Sequence, residues 1–287
     1  MTTAWLMTLP CTRAEAEALP ATQFDGAVIA VSERDAQVPD AWQLDAYFED
    51  KPSRDLLREI ARLVPSAREK DPRAKPLPDE DWVTMSQAAV RPTVAGRFYV
   101  RTPDYPARDD LIDFVIPAGL AFGTGQHATT AGCLAALGAL KRRGKVFRNV
   151  LDLGTGTGLL AFVAARLWPG ARVAASDIDP VSIQVVRENA ARNGIRRLHL
   201  IVADGLAHRE LIGPAPYDLV IANILAQPLI DMAPQVVASV ARGGTLMLAG
   251  LLDSQAAAVA RAYRHQGMRR VSRGEGEWPV LVLIARR

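Results

Sequence analysis

The stretch Val150-Leu-Asp152-Leu-Gly154-Thr-Gly156-Thr-Gly158-Leu-Leu ends an apolar run in an acid, sets glycine at every second position, and then resumes an apolar helical pattern. This reads as a buried strand, a tight turn and the start of a helix. Glycine lets the main chain turn where other residues are strained, and it lets a ligand approach the backbone near helix N–H groups. A second acid, Asp177, ends the next predicted strand, Arg172–Ser176. The two features outline a nucleoside site, with glycines under one end and a carboxylate for the ribose hydroxyls.

The spacing is G-x-G-x-G. The dinucleotide fingerprint would need glycine at position 159, which is Leu159. Asp152 ahead of the glycines suits a ligand carrying an ammonium group and a sulfonium, and it would repel a nearby pyrophosphate. This is the pattern of class I methyltransferases, which bind S-adenosylmethionine. A nicotinamide-dependent dehydrogenase is the alternative that Leu159 disfavours.

Alternating helix and strand patterns run from Thr129 to the end of the chain. Helices are expected at 129–142, 158–167, 180–193, 228–241 and 253–266. Strands are expected at 149–153, 172–176, 198–202, 217–222, 244–249 and 280–284. Such alternation gives an α/β fold, a mostly parallel sheet with helices on both faces. Upstream, strand-like 4–9, 27–31 and 42–48 and helix-like 13–19 and 53–64 follow a β-α-β-β-α order. Thr12 and Ser53 are the expected N-caps. That order suggests a small α+β, ferredoxin-like unit serving recognition. Residues 70–80 are proline- and charge-rich and read as a linker. The expected division is 1–75, a substrate-recognition domain; 76–95, a linker with a short helix from Asp81 to Val90; and 96–287, the catalytic domain, opening with strands 97–101 and 113–116.

Residues 1–75 carry 13 acids against 10 Lys and Arg, and the remainder carries 18 against 24. The acidic first part would favour a basic protein partner. Cys11 and Cys133 have no metal-ligand spacing and read as reduced core thiols, and the four histidines do not cluster, so no metal is expected. No apolar run approaches the roughly 20 residues of a membrane span. A cytoplasmic protein without a membrane role is expected.

Three further segments sharpen the reading: Gly119-Leu-Ala-Phe-Gly123-Thr-Gly125-Gln-His127-Ala-Thr129-Thr130, Ala222-Asn223-Ile224-Leu225-Ala226-Gln227-Pro228-Leu229, and Gly243-Gly244 followed by Leu248-Ala-Gly250-Leu-Leu. Together with the glycine turn they closely resemble the ribosomal protein L11 methyltransferase (PrmA-type) family. The likeness is strong over about residues 80–287 and holds in element order over 1–75. It departs from the family at Ala128, where proline is usual, and at Gln227, where glycine is usual. The resemblance implies a class I domain that uses S-adenosylmethionine, and a small N-terminal domain that grips a ribosomal protein of the large subunit. It implies trimethylation of amino groups. No direct nucleic-acid binding is required for that, and a monomer is expected. The family's cofactor contacts fall on Thr130, Gly154, Asp177 and Asn223, with Gly156 in the same turn.

The residues support these roles in their own terms. Asp177 offers acceptor sites for both ribose hydroxyls, whereas Asp179 before Pro180 reads as a helix cap. Gly154 leaves room for the cofactor's amino-acid end. Thr130 opens a helix and offers either a cofactor contact or a cap, and Thr129 is a second candidate for the cap. Asn223 ends an apolar strand at the carboxyl edge, where open α/β sheets bind ligands, and is the expected catalytic residue, holding the substrate amine. Ile224-Leu225 after it, in place of the Pro-Pro-aromatic sequence that suits planar amino groups, fits a flexible lysine. Asp204 is a candidate for the adenine amino group, and His127 for a substrate or loop contact. The same chemistry on another protein, such as the electron-transfer flavoprotein β subunit, or on a small molecule, is the alternative. A binding module that keeps only the fold is a further one.

Overall fold

The computed structural model describes residues 5–18, 27–33, 42–48, 50–67, 72–76, 92–117, 128–274 and 276–286. The chain divides into two units, Met1–Met85 and Ser86–Arg287.

The first unit has four strands, β1 (Trp5–Cys11), β2 (Val28–Glu33), β3 (Trp42–Phe48) and β4 (Lys75–Pro76). They form an antiparallel sheet in the order β2-β3-β1-β4. With helices Arg13–Ala18 and Arg54–Ala61 this is the β-α-β-β-α-β arrangement of a ferredoxin-like sandwich. Alternation decides which face is covered: Met7, Leu9 and Cys11 of β1 and Leu44, Ala46 and Phe48 of β3 are buried with Leu57 and Ile60 of the second helix. Both expected caps are present. Ser53 accepts from the Leu56 N–H. Thr12 and Glu15 form a reciprocal capping box at 2.9 and 3.2 Å. Lys75–Pro76, inside the stretch read as a linker, instead pair with Trp5 and Leu6 of β1. Proline is tolerated there because the strand is at the sheet edge. The expected helix from Asp81 to Val90 lies outside the described residues.

The second unit opens with β5 (Thr93–Ala95), β6 (Phe98–Arg101) and β7 (Ile112–Val115), a three-stranded sheet. A bidentate Arg101–Asp113 pair, with bonds of 2.9–3.0 Å, joins β6 to β7. Seven further strands follow: β8 (Asn149–Leu153), β9 (Arg172–Asp177), β10 (Leu198–Val202), β11 (Tyr217–Asn223), β12 (Val240–Ala249), β13 (Arg269–Arg273) and β14 (Leu281–Ile284). Their order is β10-β9-β8-β11-β12-β14-β13. All neighbours are parallel except the pairs made by β14, which is antiparallel to both β12 and β13.

The central strands are apolar on both faces, as a doubly covered sheet requires. On β11, Leu219 and Ile221 join helices Ala128–Arg142 and Leu159–Leu167 on one side. Val220 and Ala222 join helices Ala226–Asp231, Ala233–Ser239 and Asp253–His265 on the other. The helix expected over 228–241 is two helices followed by a strand that starts at Val240. Pro234 sits in the first turn of the second helix, where its missing N–H is harmless. Strand order reverses between β8 and β11, and the carboxyl ends of those strands carry the glycine turn and Asn223.

Candidate active site

Four carboxyl-edge segments converge. The glycine turn follows β8, Asp177 ends β9, Asp204 follows β10, and Asn223 ends β11. Ala222 is paired with Leu153, so Asn223 lies beside Gly154.

The turn is fixed from below by Asp152. That carboxylate is buried, 1% exposed, and accepts from the Thr155 hydroxyl at 2.7 Å and the Ala161 N–H at 3.0 Å. Burial lifts its pKa to about 6, against the pull of those two hydrogen bonds and with a small push from Asp177. Asp152 was expected to face the ligand. It serves instead as an internal brace for the turn and the first turn of helix Leu159–Leu167.

Gly154 has φ +69°. A Cβ there would lie 2.3 Å from Ile224 Cγ2, so the group that needs the space is the chain's own isoleucine. Gly250, at φ +82°, closes on the other side: a Cβ there would lie 2.5 Å from the Ile224 carbonyl oxygen. The Asn223-Ile224 turn is wedged between two glycines. Sequence reasoning missed this; the signal was Gly250 after an apolar strand.

Asp177 accepts from the Gly156 N–H through Oδ2 (2.9 Å) and from the Asp179 N–H through Oδ1 (3.1 Å). A carboxylate has about four acceptor sites, so two remain for a ligand. Asp179 caps helix Pro180–Arg192, accepting from the Val181 and Ser182 N–H groups. Those bonds outweigh its slight desolvation and lower its pKa. Between the two acids Ile178 is 65% exposed, and Val202, in register with Asp177 on the next strand, is 45% exposed. These apolar neighbours were not read from the sequence, although Asp-Ile-Asp carried the hint.

Thr130 is buried in the first turn of helix Ala128–Arg142, and its hydroxyl has no hydrogen-bond partner among the described residues. The helix already includes Ala128, so neither Thr129 nor Thr130 is its cap. The Asn223 side chain is half-buried and makes no hydrogen bond among the described residues, so it does not serve to satisfy the turn. Asp204 is exposed. His127 and the loop 119–127 lie outside the described residues.

Residues 3–286 match the family described as Ribosomal protein L11 methyltransferase (PrmA). The chain belongs to that family. It is 40% identical over 256 residues to a ribosomal protein L11 methyltransferase from Brucella suis, with 86% of each chain covered. It is 41% identical over 249 residues to one from Rhizobium rhizogenes, covering 85% of this chain and 84% of that one. Among solved structures it is similar to a ribosomal protein L11 methylase from Lactobacillus delbrueckii subsp. bulgaricus, at 31% identity and a TM-score of 0.58, covering 67% of this chain and 96% of that one. The family member described here is thus a class I methyltransferase, and S-adenosylmethionine is its methyl donor. The rim fits that group: a carboxylate with acceptor sites to spare, an unpartnered buried hydroxyl and an exposed apolar pair. Among the described residues no helix is long and apolar enough to cross a membrane.

Proposed function

We propose that this chain methylates lysine amino groups of ribosomal protein L11 in the cytoplasm, acting as a monomer, with Asn223 as the residue that positions the amine. The observation that carries this reading is the uncommitted Asn223 amide, which ends β11 beside the glycine turn. S-adenosylmethionine, when bound, supplies a methyl group already activated on a sulfonium. Asp177 would hold the ribose hydroxyls, Gly154 and Gly156 the floor, and Thr130 a further polar contact. Ile178 and Val202 would cover an adenine face, with Asp204 at its amino group.

What remains for the protein is alignment and proton management. The Asn223 oxygen accepts from the amine N–H and turns the nitrogen lone pair toward the methyl group. Only a neutral amine attacks, and a free lysine has a pKa near 10.4. A dry pocket close to a positive charge lowers that value, so no side chain need act as an essential base. The acidic N-terminal unit is suited to gripping a basic ribosomal protein.

Incubation of the purified enzyme with isotopically labelled methyl donor and purified L11 tests this directly. Label is expected on lysine side chains of L11. Label that appears only on another protein, or on none, would overturn the substrate assignment.

A further inference from the structure

The catalytic unit carries a second charged feature, at the edge of the sheet opposite the active site. Seven segments meet there, 143–149, 168–172, 193–198, 213–217, 240–244, 266–269 and 285–286, and they hold nine Lys and Arg and no Asp or Glu. Lys145, Arg148, Arg242, Arg269 and Arg286 line two adjoining clefts of about 370 and 390 Å³ that share Lys145 and Gly243. Ala285 donates to the Gly244 carbonyl at 3.0 Å, which holds the chain end carrying Arg286 against β12. One acid lines the clefts, Asp218, and its carboxylate is engaged by the Arg148 and Asn149 N–H groups at 2.8 and 3.0 Å. None of the five cations has a carboxylate partner among the described residues.

Helix ends do not account for this charge. At most six helices end at this edge. At about half a negative charge each they offset roughly three of the nine. A row of nine cations facing one acid, Asp218, is an electrostatic footprint for a polyanion. Its extent favours a polymer over a single phosphate: six strand spacings at ~4.8 Å make about 29 Å of edge. Of the aromatic residues in these segments, Trp168 and Phe147 are buried against each other, and Tyr217 is fully buried with its hydroxyl donating to the Leu211 carbonyl. The edge therefore offers charge and no stacking platform, so recognition would go through phosphates and not through bases.

We propose that this amino edge binds the phosphodiester backbone of RNA, without base specificity, while the opposite edge carries out methyl transfer. The choice of RNA over other polyanions rests on the reading that the substrate is a ribosomal protein, a component of an RNA-protein particle. Transfer itself does not call for the contact.

The test is fluorescence anisotropy of the full-length enzyme with a labelled oligouridylate of about 20 nucleotides, long enough to span the row. Five phosphate contacts predict a loss of affinity of roughly 100-fold between 50 and 200 mM salt. The double variant Arg242→Glu/Arg269→Glu, at two exposed positions, is expected to lose at least about tenfold in affinity at low salt. The variant Arg54→Glu/Arg58→Glu, in the N-terminal unit, is expected to bind as the parent does. Circular dichroism confirms that the variants fold; should the double variant not fold, Arg269→Gln alone serves, with a smaller loss expected. No binding at 50 mM salt, an affinity unchanged by either edge variant, or displacement of the RNA by polyglutamate at matched charge would overturn the proposal. Methylation of free L11 by the double variant is the separate arm: it is expected at the parent rate, so failure of RNA binding leaves the transferase reading intact.

Discussion

Asp177 and Asn223 lie at the ends of strands separated by β8, and their replacements should have separable effects. Asp177→Ala removes the proposed acceptor for the two ribose hydroxyls. Hydrogen bonds to a charged group contribute about 1.5–3 kcal/mol each, so S-adenosylmethionine binding measured by calorimetry is expected to weaken by at least about 100-fold. Asn223→Ala keeps the floor and the carboxylate. Single-turnover transfer is expected to slow by about 100-fold or more, with cofactor affinity changed by less than about threefold. A larger affinity loss in Asn223→Ala than in Asp177→Ala would reverse the two roles. Gly154→Ala acts by a third route. It places a methyl group 2.3 Å from Ile224 Cγ2 at φ +69°. Backbone strain and overpacking together cost about 2–4 kcal/mol, which denaturant titration would report as a lower midpoint.

At the scale of elements, the strand–turn–helix unit β8 to Leu159–Leu167 depends on one buried carboxyl. Asp152 has a folded pKa of about 6, above the ordinary value near 3.9. The stability attached to its neutral form is fully present below about pH 4 and is lost as pH rises through about 6. Asp152→Asn, which keeps a side-chain acceptor, should flatten stability against pH across that window in urea titrations at pH 4.5 and 7. An unchanged slope would show that the carboxyl does not titrate there. The sequence announced this unit because glycine spacing and apolar period pointed the same way. It did not announce the direction in which Asp152 faces, since an acid before glycines serves a ligand or a turn equally well. Edge elements were less legible. Strand β13, Arg-Arg-Val-Ser-Arg, is largely exposed and lacks the apolar alternation that marked the other strands. Helix Arg209–Ile212 is a single turn. Lys75–Pro76 read as a breaker because the edge position that permits proline is a property of the sheet and not of the dipeptide. Asn223 stands out as a candidate because an apolar strand ends in it, whereas Ile178 and Val202 escaped notice because exposure cannot be read from an apolar letter alone.

For the molecule as a whole, the proposed chemistry predicts a distinctive pH response. With alignment in place and no essential base, the rate of L11 methylation is expected to rise about tenfold per pH unit until the bound amine's own pKa is reached, then to level off without a second, falling limb. A bell-shaped profile in initial-rate measurements would instead require a protein acid or base at the site. The sheet's order, which the sequence could not supply, is what gathers the glycine turn, Asp177 and Asn223 from segments up to 73 residues apart (150 to 223). The Ile224 wedge adds a constraint on how such a site can change. Its side chain meets the loop after β8 and its main chain meets the loop after β12, so the proposed donor floor and acceptor amide share a single keystone. A descendant adapted to a bulkier or flatter nucleophile could not shift Asn223 alone; the ground beneath the sulfonium would shift with it, and new substrates would have to be reached by reshaping the surrounding loops.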